Sequence, residues 1–161
     1  MLVLRGKSPV KDLMTRKKLV ALHGNLGTVD DWKFLSDSDL LAVDLWDHSE
    51  KPFPEMAAYL ASLAVDEKPV LLGYSMGGRI ALDTLVRYPD QWSGGVILSA
   101  HPGLPGVEDR IARRVSDQVW AQLARKLKWS DFLQMWDRQP VLQGVGHAEG
   151  RQTLASRTGE I

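Results

Sequence analysis

The segment from Val70 to Val86 constrains the fold of this chain more than any other, because an apolar run, a glycine-flanked serine and a helical pattern follow one another directly. The apolar run Val70–Leu72 predicts a buried strand, and helical spacing begins soon after it. Between them lies Gly73-x-Ser75-x-Gly77. A chain that turns this sharply from strand to helix needs glycine on both sides of the serine, where a Cβ would meet neighbouring backbone. The pattern predicts that Ser75 stands exposed on a tight bend as a nucleophile, and an ordinary glycine–serine turn is the alternative.

Two backbone amides are predicted to form an oxyanion hole at Ser75. The helix after the serine directs its first amide groups, that of Met76 above all, toward whatever Ser75 attacks. An earlier apolar run, Lys18–Leu22, leads into His23-Gly24-Asn25, and the amide of Asn25 is the expected second donor. We expect His23 to brace this loop rather than to react.

Four apolar runs alternate with helical segments in the first part of the chain, which predicts a mostly parallel sheet with helices on both faces. The runs begin at Lys18, Leu40, Val70 and Gly95 and are continuous rather than alternating, as expected of strands buried on both faces. Loops at the carboxyl ends of such strands share one rim, so 23–25, 44–48, Ser75 and 101–103 are expected to lie there.

The character of the sequence changes after residue 105, where charged helical segments are predicted at 108–128, 129–138 and 151–157. We therefore predict two parts, an α/β core at 1–105 and a helical lid at 106–161. Trp120 and Trp129 are expected to pack within this lid, since large aromatic side chains dominate burial.

Composition excludes several classes of function. Twenty basic residues balance 20 acidic ones, so no bulk field favours nucleic acid or an anionic membrane. The absence of cysteine excludes thiol catalysis, disulfides and cysteine-ligated metals. No apolar run is long enough for a membrane span, and the apolar start is too short for a signal peptide. We therefore expect a cytoplasmic protein with neither nucleic acid nor membrane as partner.

A serine hydroxyl is a poor nucleophile or base unless a histidine takes its proton and an acid orients this histidine. His147 ends a Gly-x-Gly-His sequence, and Asp131 and Asp137 precede it in the required chain order. Both aspartates lie in helical lid pattern rather than after a strand, so His147 is a weak candidate for the base. His101 is weaker still, because no strand-borne acid separates it from the serine.

Together these motifs resemble the α/β-hydrolase-fold enzymes of menaquinone biosynthesis that make 2-succinyl-6-hydroxy-2,4-cyclohexadiene-1-carboxylate. The resemblance is carried by the stretches 23–32, 73–79 and 101–104, and by the lid stretches 108–113, 117–121 and 136–141. It implies an α/β-hydrolase fold and a carbon–oxygen lyase that eliminates pyruvate from a 2-succinyl-5-enolpyruvyl-cyclohexene carboxylate. It also implies that Ser75 acts in proton abstraction, without a metal or an organic cofactor.

The substrate implied by the resemblance is a small polycarboxylate, and the residues that match the family's binding set suit such a molecule. Arg79 and Arg113 can each fork onto a carboxylate with two parallel hydrogen bonds. Tyr74 and Trp136 would line the pocket, with Gln139 as a weaker candidate. Solvated surface arginines, and a tryptophan that only packs the lid, are the alternatives at these positions.

The resemblance further implies that the catalytic acid and histidine lie on strands beyond Ile161. We therefore expect the last strands of the fold to be missing from this C-terminally truncated chain, leaving one sheet edge unpaired and open to self-association. Three hypotheses follow: a lyase of this family, a small-ester or thioester hydrolase with the same bend, or an inactive truncated product without a base for Ser75.

Overall fold

The computed structural model describes residues 2–4, 18–35, 38–64 and 68–142, and it divides the chain into two compact units, Met1–Pro102 and Gly103–Ile161. The division falls close to the change from alternating apolar runs to charged helix in the sequence. His147 and the third predicted lid helix at 151–157 lie outside the described residues.

A five-stranded sheet forms the core of the first unit. Its strands, in the order β1-β5-β4-β2-β3, are β1 (Leu2–Leu4), β2 (Leu19–Leu22), β3 (Leu40–Val43), β4 (Val70–Tyr74) and β5 (Gly94–Leu98). Strands β2 to β5 pair in parallel, as their continuous apolar runs predict. The predicted mostly parallel sheet is therefore confirmed.

Strand β1 was missed by the sequence analysis, because three residues are too few to show a periodicity. It pairs antiparallel with β5, with Leu2 opposite Ile97 and Leu4 opposite Gly95. The outer edge of β5 is therefore covered over these residues. Self-association through an open edge stays a prediction, and it would now involve β1 or β3, the two outermost strands.

Helices cover one face of this sheet. Helix α1 (Phe53–Leu63) precedes β4, and α2 (Met76–Arg87) follows it directly. Their apolar sides pack with the sheet in a core that includes Met56, Leu60, Leu71, Ile80 and Ile97. On the opposite face, the 3₁₀ helix Val29–Leu35 inserts Trp32 among Leu19, Val70 and Leu72. Further 3₁₀ helices span Leu45–His48 and Pro89–Gln91.

The second unit is helical in its described part, with α3 (Val107–Lys126), α4 (Trp129–Asp137) and a 3₁₀ helix at Pro140–Leu142. Four rings form an aromatic cluster, defined as Trp120, Trp129, Phe132 and Trp136. Phe132 is its centre, only 3% exposed, with the three indoles at centroid distances of 5.1 to 6.0 Å. In the described ranges, no helix has both the length and the apolarity to cross a bilayer.

Candidate active site

Ser75 lies where β4 turns directly into α2, and its backbone is strained. Its φ of 52° and ψ of −112° place an L-residue in a region that costs about 1–2 kcal/mol. A serine that merely capped the helix would have an extended backbone, and its hydroxyl would accept a hydrogen bond from the first turn. Ser75 makes no such capping bond. The conformation therefore favours the strained bend over the ordinary turn.

The two glycines of the motif explain how the bend fits. A Cβ on Gly73 would lie 2.5 Å from the carbonyl oxygen of Gly77 and 2.6 Å from the Cα of Gly78. A Cβ on Gly77 would lie 2.5 Å from the carbonyl oxygen of His23. Backbone atoms cannot rotate away, so only glycine lets α2 begin this close to β2 and β4. The expected reason for the glycines is confirmed.

The loop after β2 lies against the serine. A Cβ on Gly24 would be 3.3 Å from the Cβ of Ser75 and 2.8 Å from Cδ1 of Tyr74. The next residue, Asn25, is exposed. Met76 is the first residue of α2, where an amide has no carbonyl partner within its helix. The two amides predicted as oxyanion donors thus belong to segments that meet at Ser75.

His23 is fully buried, and each ring nitrogen has a partner. The backbone N–H of Leu45 donates to Nε2 at 2.9 Å, and Nδ1 lies 2.8 Å from the carbonyl oxygen of Gly24. Since the amide can only donate and the carbonyl can only accept, the ring proton is assigned to Nδ1. An Asp44 carboxylate oxygen is farther from Nε2, at 3.5 Å. His23 therefore braces the loop, as expected, rather than taking a proton from Ser75.

Two predicted binding residues flank the serine. Tyr74 is the last residue of β4, and Arg79 lies one helical turn past Ser75, with its backbone N–H donating to the Ser75 carbonyl at 3.1 Å. The Arg79 side chain is half-buried. Its guanidinium carbon is 5.8 Å from the centroid of the Phe53 ring, a cation–π contact. Phe53 gave no signal in the sequence as a partner of this arginine.

The remaining predicted residues lie in the second unit, and their part in the site stays a prediction. Arg113, on α3, donates from Nε to a carboxylate oxygen of Asp117 at 2.7 Å. Trp136 belongs to the aromatic cluster, and its carbonyl accepts a hydrogen bond from the Gln139 side chain at 3.1 Å.

In the first unit, His101 is exposed beyond β5. No group of three or more acidic or histidine side chains in the described part of the chain is arranged to hold a metal ion.

Sequence reasoning missed Trp46, in the turn that follows β3. Its indole N–H donates to the carbonyl oxygen of Gly27 at 2.8 Å, and its ring stacks on His23 with centroids 6.0 Å apart. The one available signal was its position on the predicted rim. A polar contact between residues 46 and 27 cannot be inferred before β2 and β3 are known to be neighbours.

Comparison with known proteins gives consistent results. Residues 19–158 match the alpha/beta hydrolase family. The chain is 33% identical over 154 residues to the 2-succinyl-6-hydroxy-2,4-cyclohexadiene-1-carboxylate synthase of Pectobacterium atrosepticum. It is 31% identical over 153 residues to the enzyme of the same name from an Escherichia coli strain.

Each of these alignments covers 87% of this chain and 61% of the relative, so the chain spans 61% of the length of these relatives. A solved structure of MenH from S. aureus superposes with a TM-score of 0.68, covering 96% of this chain and 65% of that one. At 22% identity, the latter match is a likeness of fold.

Proposed function

We propose a lyase function for this chain, which belongs to the alpha/beta hydrolase family. The two relatives compared above, at 33% and 31% identity, are named 2-succinyl-6-hydroxy-2,4-cyclohexadiene-1-carboxylate synthases. The proposed reaction is the elimination of pyruvate from a 2-succinyl-5-enolpyruvyl-cyclohexene carboxylate. The observation that carries this proposal is the strained Ser75, whose hydroxyl does not cap its helix and which lies against the Gly24–Asn25 loop.

The reaction needs a base and a place for negative charge. A base removes the ring proton next to the succinyl carbonyl, and the electron pair forms a new ring double bond as the existing one shifts. The carbon–oxygen bond to the enolpyruvyl group then breaks, and the released enolpyruvate takes up a proton to become pyruvate. Negative charge develops on the succinyl oxygen, where the amides of Asn25 and Met76 would stabilise it. Ser75 would receive the ring proton while its own passes to a histidine, the role for which His147 is the weak candidate in this sequence.

The binding residues proposed for the carboxylates are Arg79 and Arg113, with Tyr74 and Trp136 against the ring. Arg79 has the stronger support, because it is half-buried one turn from Ser75. The contact of Arg113 with Asp117 is made through Nε, which is one of the five N–H donors of a guanidinium group. That exposed ion pair therefore leaves N–H donors of Arg113 for a substrate carboxylate.

The experiment measures pyruvate release by coupling it to lactate dehydrogenase and NADH oxidation. Replacing Arg113 removes a charged hydrogen-bond partner, so Arg113→Ala should lower kcat/KM for the polycarboxylate by about 10- to 100-fold. Arg114→Ala, an exposed neighbour on the same helix, is the matched control and should change it less than about twofold. Cleavage of the neutral ester p-nitrophenyl acetate should not respond to either substitution.

Two other results would replace this proposal. Ester cleavage without pyruvate release would assign the chain to the small-ester or thioester hydrolases. Neither activity, together with a Ser75 that does not react with fluorophosphonates, would indicate an inactive polypeptide.

A further inference from the structure

The turn after β3 is connected to the loop after β2 by two hydrogen bonds, and in both of them the turn supplies the donor and the loop the acceptor. The backbone N–H of Leu45 donates to His23, and the indole N–H of Trp46 donates to the carbonyl oxygen of Gly27. Strands β2 and β3 are parallel neighbours, so their carboxyl ends lie side by side. We call these two bonds, with the stacked rings of His23 and Trp46, the β3 clamp.

The clamped loop contains the peptide group that carries the Asn25 amide. The carbonyl oxygen of this peptide, that of Gly24, receives two donors: Nδ1 of His23 at 2.8 Å and the backbone N–H of Gly27 at 3.0 Å. A trans peptide is planar, and its C=O and N–H point in opposite directions. Two donors that hold the Gly24 oxygen therefore aim the Asn25 N–H the other way.

The position of the second donor, the Gly27 N–H, depends on a strained backbone at the residue before it. Leu26 has a φ of 57°, which an L-residue keeps only where its surroundings hold it. It lies directly between Asn25 and Gly27, and the Trp46 bond is made to the carbonyl of Gly27. Without this bond the turn can relax at Leu26, and the Gly27 N–H can leave the Gly24 oxygen.

We propose that Trp46 is a positioning residue for the oxyanion hole, acting through Gly27 on the direction of the Asn25 amide. This inference rests on the proposed function only in assigning that amide to an oxyanion. Trp46 itself contacts the loop rather than the reacting atoms, by its indole N–H, which donates to Gly27, and by its ring, which stacks on His23.

The test removes that N–H group alone. In one variant 3-benzothienylalanine, which keeps the shape of the indole and has sulfur in place of N–H, is incorporated at position 46. Trp46→Phe serves as a second variant. The matched control is the same replacement at Trp92, a buried tryptophan whose indole nitrogen has no hydrogen-bond partner among the described residues.

Two quantities are measured for each protein. Site-resolved amide hydrogen exchange reports on the Gly27 N–H, and loss of one hydrogen bond should accelerate it by about five- to tenfold. The rate of phosphonylation of Ser75 by a fluorophosphonate reports on the oxyanion hole, because negative charge grows on phosphoryl oxygen in that reaction. In the position 46 variants the rate of phosphonylation should fall by about tenfold or more. The Trp92 variant should match the parent protein in both the exchange rate and the phosphonylation rate.

Unchanged exchange at Gly27 in the position 46 variants would overturn the inference, as would faster exchange with undiminished phosphonylation. If the parent protein is not phosphonylated at all, the proposed function fails instead. In that case exchange at Gly27 alone decides whether the β3 clamp holds the loop.

Discussion

Replacing Ser75 by glycine should make the protein more stable than replacing it by alanine. Both changes remove the same hydroxyl, so its own interactions cancel in the comparison. What differs is the backbone: φ is 52° at this residue, which alanine tolerates as poorly as serine and glycine adopts readily. Relief of the backbone strain stabilises the glycine variant by about 1–2 kcal/mol. The greater conformational freedom of glycine in the unfolded chain destabilises it by about 0.4–1 kcal/mol.

The net difference, about 1 kcal/mol in favour of Ser75→Gly, corresponds to a rise in Tm of about 2–4 °C for a chain of this size. Thermal and urea unfolding, followed by circular dichroism, would measure it. Ser62, in helix α1 of the same unit, is the matched control, because glycine in a helix is less stable than alanine by up to about 1 kcal/mol. The order of the two variants should therefore reverse at Ser62. Equal stabilities at Ser75, or a less stable glycine variant, would refute a strained bend.

Two further stability predictions follow from the packing. A Cβ added by Gly77→Ala would meet the carbonyl oxygen of His23, so the free energy of unfolding measured in urea should fall by about 3 kcal/mol or more. The control is Gly106→Ala, whose Cβ would meet only the rotatable side chain of Asp109. It should lower the free energy of unfolding by less than about 1 kcal/mol. A small effect of Gly77→Ala would mean that α2 is not packed this tightly. Phe132→Ala should destabilise the second unit by about 3–5 kcal/mol and remove the near-UV circular dichroism of the three tryptophans in the aromatic cluster, leaving that of Trp32, Trp46 and Trp92 in the first unit. Phe34→Ala, at a ring 74% exposed, should do neither. A near-UV spectrum of Phe132→Ala identical to that of the parent protein would exclude the aromatic cluster as the core of the second unit.

The parallel sheet could be predicted because its information is local. Strand β2 is buried at all four positions, and such a strand is visible as an uninterrupted apolar run. The bend at Ser75 was equally accessible, since the glycines that permit it are two residues away on either side. Strand β1 was not accessible, because its three residues are too few to show a pattern and its pairing with β5 joins residues more than 90 positions apart in the sequence.

The candidate site divides in the same way. Ser75, Tyr74 and Arg79 lie on one continuous segment, so their proximity follows from a strand that leads into a helix. The contact of Trp46 with Gly27 depends on the order of the strands in the sheet, which composition and spacing do not encode. The cation–π contact of Arg79 with Phe53 depends in turn on how α1 and α2 pack together.

The most direct test of the central claim is to locate the adduct after reaction of the intact protein with a fluorophosphonate, by digestion and tandem mass spectrometry. We expect rapid, saturable modification at Ser75 alone, absent from the Ser75→Ala protein and slowed by prior addition of the polycarboxylate substrate. Modification spread over exposed serines, or none at Ser75, would contradict the claim that this bend presents an activated hydroxyl.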